Sequence, residues 1–187
     1  MDESQLLQLF REKHAFLEGH FLLSSGLHSP NYMQCALILQ YPDIAAQLGA
    51  SLAEKVSHPD LVLSPAMGGI IIGHEVARAL HVRFLFCERE NGNFRLRRGF
   101  EIAPGETVLV VEDVVTTGKS TRETIAVAEQ AGAKVTGVGS IVDRSVEPPA
   151  FPGSFQSLLK LPLTVYEASY CPLCRENVPI VKPGSRK

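Results

Sequence analysis

Glu112 and Asp113 stand side by side after the apolar run Val108-Leu109-Val110-Val111. Three residues on, Thr116-Thr117-Gly118-Lys119-Ser120-Thr121 leads into a helical pattern. The two halves ask for opposite ligands. Successive backbone N–H groups and the dipole at a helix N-terminus form an anion nest. Gly118 lets a ligand approach the backbone, and the neighbouring hydroxyls add donors. That half suits a phosphate monoester. Carboxylates instead accept from hydroxyls or hold a divalent cation. A phosphate site beside a diol-and-metal site describes a sugar phosphate. The GxxxxGK[ST] loop does not fit, because Asp113 stands where its first Gly should be.

Alternating strand and helix patterns must carry these groups. Residues 2–18 place Leu6, Leu7, Leu9, Phe10, Phe16 and Leu17 at helical spacing, with Gly19 as the stop. Phe21–Leu23 and Tyr32–Cys35 flank a turn-like stretch and predict a hairpin. Pro42 opens a helix to about Ser57. Strands are expected at 61–63, 82–87, 107–111 and 135–142, helices at 70–80 and 118–132, and a last strand at 158–166. The polar stretch 88–98 is expected as a loop or loosely paired hairpin. Near-continuous Val/Ile/Leu strands alternating with helices predict an α/β fold with a mostly parallel sheet flanked by helices. Ligands of such sheets bind beyond the C-terminal strand ends.

Other segments are ambiguous by themselves. Ser64-Pro65-Ala66-Met67-Gly68-Gly69 suits a plain strand-to-helix turn; beside residues 112–120 its glycines suit a diphosphate. Asp143-Arg144 reads as a surface salt bridge or as a guanidinium aimed at an anion. His28, His74 and His81 read as structural or exposed. Cys171-Pro172-Leu173-Cys174 is one CxxC pair. A structural zinc site wants four ligands, and no second CxxC or His pair follows it. Two small buried thiols are therefore expected, with a shared metal or a redox pair as the other readings. Cys35 and Cys87 are expected in the core.

The 108–120 segment resembles the phosphoribosyl-diphosphate motif of type I phosphoribosyltransferases: apolar strand, two acids, two apolar residues, Thr-Thr-Gly, then a small or hydroxyl residue, from which Lys119 departs. The resemblance implies that family's fold, with a small N-terminal hood hairpin and a mobile loop. It implies phosphoribosyl diphosphate bound by Glu112, Asp113, Thr116, Thr117, Gly118, Lys119, Ser120, Met67, Gly68 and Arg89. Asp113 would be catalytic, and Glu112 and Asp113 would place Mg²⁺, partly through waters. Three further segments are similar to the orotate-specific branch: Gly19–Tyr32, Phe86–Glu101 and Asp143-Arg144. They imply orotate held by Ser24, Ser25, Gly26, Tyr32, Thr116 and Arg144. Arg95, Arg97 and Arg98 would belong to the mobile loop, which reaches the neighbouring subunit's site in a homodimer with composite active sites. The sequence departs from the pattern where relatives often carry Lys, at Ser24 and Gly68, and in offering arginines rather than Lys and His in the mobile loop. Arginine clamps charge and does not donate protons readily.

Composition bounds the rest. With 187 residues, 18 Lys+Arg and 20 Asp+Glu, the formal charge is −2. That argues against a nucleic-acid or membrane-surface binder. No apolar run approaches the ~20 residues of a membrane span, and the charged N-terminus lacks a signal-peptide core, so a cytoplasmic location is expected. One domain is expected over 1–187: helix and hood at 1–40, core at 58–145, C-terminal segment at 155–187. Two rivals share the fold: a transferase acting on a purine or other base, and a non-catalytic phosphoribosyl-diphosphate-sensing regulator.

Overall fold

The apolar runs become one sheet whose faces are both covered. A computed structural model describes residues 1–23, 25–162 and 164–182. In chain order it contains α1 (Glu3–Glu12), β1 (Phe16–Leu22), β2 (His28–Met33), α2 (Ala36–Leu39), α3 (Pro42–Ala53), β3 (Leu61–Pro65), α4 (Gly69–Leu80) and β4 (Arg83–Glu90). There follow β5 (Asn93–Leu96), β6 (Thr107–Val115), α5 (Lys119–Gln130), β7 (Lys134–Asp143), β8 (Ser154–Lys160) and α6 (Pro172–Arg175). Six strands run in the order β5-β4-β3-β6-β7-β8, and only the edge strand β5 is antiparallel to its neighbour. β1 and β2 form a separate hairpin. This is the expected α/β architecture.

Successive strand residues point to opposite faces. Val62, Leu109 and Val111 pack with Leu48, Leu52, Ile72 and Val76 of α3 and α4. Their neighbours Leu61, Leu63, Val108 and Val110 pack with Ile125 and Ala128 of α5. Both faces are dry, so the strands read as unbroken apolar runs. Cys35 and Cys87 are buried, as expected. Among the described residues no helix is long and apolar enough to cross a membrane.

Several boundaries differ from the sequence reading; among them, the helix opened by Pro42 ends at Ala53 rather than about Ser57, and the second hairpin arm is His28–Met33 rather than 32–35. The helix expected over 2–18 stops at Glu12, and Phe16 and Leu17 enter β1 opposite Met33 and Tyr32. His14 takes the left-handed position (φ 54°) at the helix end. Its N–H reaches Arg11 O at 3.0 Å, and the Ala15 N–H reaches Phe10 O at 2.8 Å. That is a Schellman ending with His in the place usually given to Gly, while Gly19 sits inside β1. The polar stretch 88–98 takes the hairpin form of its two expected readings: β4 continues to Glu90 and pairs antiparallel with β5. β6 runs on to Val115, so the acid pair lies within the ladder, with Glu112 opposite Ser140. The last strand spans 154–160, not 158–166; Pro162, which has no N–H to give, follows it.

Helices α3 and α4 approach closely at Gly49, where an added Cβ would lie 2.5 Å from Glu75 Cβ and 2.7 Å from its carbonyl carbon. Backbone cannot yield as a side-chain tip can. Gly49→Ala is expected to destabilise the fold by ~1–3 kcal/mol, the range for overpacking, measured by urea denaturation. An unchanged midpoint would contradict this packing.

Candidate active site

The C-terminal ends of β3, β6 and β7 open on one side of the sheet, and the β1–β2 hairpin leans over them. Between lies a cleft of about 1400 Å³ lined by Leu22, Ser25 and Tyr32 of the hairpin, by 112–122, and by Arg144–Ala150. Such a position, beyond parallel strand ends, is where α/β sheets bind ligands.

The acid pair forms its floor. Glu112 is buried and Asp113 half-buried. Burial, and then the adjacent Asp113, push the Glu112 carboxyl well above its ordinary value. Burial also raises Asp113, although the Val114 N–H donates to its Oδ1 at 2.9 Å and opposes the rise. The pair lacks an internal cation, and among the described residues no ion pair involves either acid. Gly68 fits against this floor: a Cβ there would fall 2.7 Å from Asp113 Oδ1. The Ser64–Gly69 turn therefore meets the acid pair directly, and the Ala66–Met67 peptide is cis. Met67 is 81% exposed and, like Gly68, lies outside the cleft lining.

The rim opposite the acids is the start of α5. Gly118 caps this helix in a left-handed conformation (φ 71°) and offers no side chain to its first-turn N–H groups. Those donors stay available to an anion. A Cβ at Gly118 would strike Phe151 Cζ at 2.8 Å, so the tight fit requires glycine as well. Thr116, Thr117, Lys119 and Ser120 line the same rim. Arg122, one turn into α5, also lines it and donates to Thr117 O at 2.8 Å.

Arg144 supplies the cleft's buried cation. Its backbone N–H donates to Val115 O at 2.8 Å, which fixes it to the end of β6. Its side chain is buried, and Nε has no hydrogen-bond partner. Burial works against its charge. A buried guanidinium donor without an acceptor is costly, and an anion in the cleft would relieve it. Of the two readings of Asp143-Arg144, the surface bridge is not the one seen: among the described residues no ion pair joins them. Asp143 is buried, accepts from the Ser145 N–H at 2.8 Å, and faces Lys160 Nζ at 3.8 Å. Tyr32 sits near Arg144 and stacks at 5.8 Å on Phe21. Ser25 lines the cleft; Gly26 (φ 85°) forms the hairpin turn outside it; Ser24 lies outside the described residues.

The four arginines of 88–98 are elsewhere. Arg89 pairs with Glu123 at 2.6 Å, Arg98 with Glu88 at 2.7 Å, and Arg95 and Arg97 approach Glu90 at 3.8 and 3.5 Å. None lines the cleft of its own chain. Sequence reasoning missed Arg122, Ser145 and Lys182 as lining residues. Arg122 could have been found four residues after Gly118, on the first turn of α5. Lys182 arrives from a C-terminal segment with no local signal.

Residues 37–150 match the family model described as "Phosphoribosyl transferase domain". A curated relative from Caldanaerobacter subterraneus subsp. tengcongensis, named orotate phosphoribosyltransferase, is 51% identical over the whole of both chains. One of the same name from Carboxydothermus hydrogenoformans is 53% identical over 97% of each. Among solved structures, an orotate phosphoribosyltransferase from Aeropyrum pernix has a TM-score of 0.65 at 24% identity, covering 83% of this chain and 93% of that one. The last is a likeness of fold.

The acid pair gives the ligand-free protein a pH signature. A carboxyl whose folded value is raised opposes folding once pH exceeds its unfolded value, near 4.5 for Glu. The penalty grows until pH passes the folded value. Glu112→Gln is expected to raise Tm at pH 8 by about 2–4 °C, the shift that ~1 kcal/mol gives a chain of this size. The advantage should vanish as pH falls toward 4.5. Thermal melts across that range check it; a pH-independent difference would contradict the buried-charge origin.

Proposed function

We propose that this chain, which belongs to the phosphoribosyl transferase family, transfers the 5-phosphoribosyl group of 5-phospho-α-D-ribose 1-diphosphate to orotate. The products are orotidine 5′-phosphate and pyrophosphate, a step of pyrimidine nucleotide synthesis. The observation that carries this reading is the buried Arg144, with an unpaired Nε, in the same cleft as an anion-binding helix start and a desolvated acid pair. A base without a carboxylate has no need of that guanidinium, which disfavours a purine substrate.

The 5′-phosphate sits on the α5 N-terminus, held by backbone N–H groups from Gly118 to Ser120 and the Thr116 and Thr117 hydroxyls, with Lys119 adding charge. Glu112 and Asp113 accept from the ribose hydroxyls. Gly68 and Met67 meet the diphosphate, and the absent side chain at 68 leaves room beside Asp113. Orotate lies under the hairpin, with Ser24, Ser25, Gly26, Tyr32 and Thr116 around the ring and Arg144 on its carboxylate. Orotate N1 attacks C1 with inversion as the C1–O bond to pyrophosphate breaks, and the N1 proton leaves to water or to the departing pyrophosphate. Positive charge grows at the anomeric centre, and the Asp113 carboxylate stabilises it. Positioning supplies much of the remaining acceleration.

The donor set fits Mg²⁺: two hard carboxylates whose mutual repulsion and burial a cation would relieve. Bound Mg²⁺ would offset the charge of the departing pyrophosphate. Arg89, Arg95, Arg97 and Arg98 sit outside their own cleft, and a homodimer whose β4–β5 hairpin closes the partner's site accounts for them. In this reading residues 1–40, 58–145 and 155–187 act as hood, core and C-terminal segment of one unit over 1–187. Four free thiols suit a reducing cytoplasm. Neither nucleic acid nor membrane is a partner.

Protein, Mg²⁺, phosphoribosyl diphosphate and a panel of bases should release pyrophosphate with orotate alone; release with purines, or with no base in the panel, would sink the reading. Asp113→Asn should lower kcat by roughly 10²–10³-fold, as loss of transition-state electrostatics does, with circular dichroism unchanged. Arg144→Ala should raise the orotate KM by roughly 30–100-fold, typical of a lost charge-assisted bidentate contact, and leave the phosphoribosyl-diphosphate KM nearly unchanged. Equal losses for both substrates would remove the carboxylate assignment.

A further inference from the structure

Where the C-terminal segment meets the hairpin, four soft or borderline ligand groups converge. His20 of β1, His28 of β2, and Cys171 and Cys174 at α6 each offer one ligand atom, and all four atoms lie within 4.8 Å of one another. His28 is opposite Leu22 in the ladder. His20 lies in the irregular stretch of β1 between Glu18 and Phe21, and its ring reaches that of His28. Cys171, His20 and His28 are buried, and Cys174 is exposed, so the expectation of two buried thiols is half met.

We infer that this cluster is a closed, structural zinc site of the Cys₂His₂ type that ties the C-terminal segment to the hairpin. Its edges carry the argument. His20 Nε2 and His28 Nδ1 are 2.9 Å apart; His20 Nε2 is 3.5 Å from Cys171 Sγ and 3.8 Å from Cys174 Sγ; His28 Nδ1 is 3.3 Å from Cys174 Sγ. A tetrahedron with zinc's usual bond lengths has edges of about 3.3 Å (N···N) and 3.6 Å (N···S), and every one of these separations is within about 0.4 Å of them.

The hydrogen bonding agrees. His20 Nδ1 lies 2.8 Å from Val178 O, a pure acceptor, so Nδ1 carries the proton and Nε2 turns its lone pair inward. Backbone carbonyls fix metal-binding imidazoles in this way. Without a cation, that one lone pair would have to serve His28 Nδ1–H and two thiols. With one, four lone pairs meet a single acceptor. Two nitrogens and two thiolates favour zinc over the hard cations that carboxylates hold.

The segment also needs a staple. Among described residues 161–182 only Cys171 is buried. Among the described residues, the isolated bridges from this segment to the hairpin are Phe21–Val181 and His28–Tyr166. A stretch with no core of its own gains order from a metal. The sequence hid the site because its histidines precede the CxxC by more than 140 residues.

Protein purified without chelators or added metal should contain about one zinc per chain by mass spectrometry of the metal, as a four-ligand structural site does. Cobalt(II) added to chelator-stripped protein should give the strong visible bands of a tetrahedral centre and thiolate-to-metal charge transfer. Cys174→Ser, conservative and partly exposed, should lose that charge transfer in part and bind zinc at least tenfold more weakly. These readouts are independent of catalysis. Metal-free protein that takes up no cobalt, with thiols open to a disulfide reagent or already joined as a disulfide, would overturn the inference.

Discussion

Two neighbouring carboxylates leave water at the end of a strand that is buried on both faces, and what surrounds them answers to that constraint. Continuous apolar packing from α3, α4 and α5 holds β6 rigid up to Val115. Glu112 is buried, with its backbone held in the ladder opposite Ser140. The cost of two buried acids is therefore stored in the ligand-free protein. Gly68 presses on Asp113, and the buried Cys35 thiol lies 3.9 Å from the Asp113 carbonyl, so both flanks are closed to water. Relief comes only from the open side, where hydroxyls or a cation can enter.

Arg144 carries the opposite problem, immediately after the end of the adjacent strand. Its main chain is pinned to Val115 while its guanidinium is kept dry and partly unpaired. The cleft thus holds unsatisfied charge of both signs, separated by the donors of a helix start. A ligand that carries a diol, a phosphate and a carboxylate answers all three. The bulk charge of −2 records none of this, because opposite local needs cancel in the sum.

Much of the site was legible because strand-end chemistry is local in sequence. The acids, the Thr-Thr-Gly turn and the helix start lie within about ten residues, and the periodicity of β6 and α5 fixes how they face. Gly68 was legible as a turn residue, although its contact with Asp113 is tertiary. What stayed hidden depends on partners far along the chain. Nothing near His14 signals that it, rather than Gly19, ends α1; the pairing of Phe16 with Met33 decides that. The β4–β5 pair was legible only as one of two readings, because its apolar contacts, Cys87 and Phe94 against Val127 of α5, are tertiary. Lys182, His20 and His28 gain their meaning only when a C-terminal segment folds back.

That fold-back has a temporal side. His20 binds Val178, 158 residues later, and Leu22 donates to the carbonyl of Val181. A ribosome makes the hairpin well before its supporting segment. The sheet, the acid pair and the anion cradle can all form while the hairpin still lacks that support. A nascent chain would hold a nearly finished floor under an unfastened roof until the stretch around Val178 and Val181 emerges to fasten it.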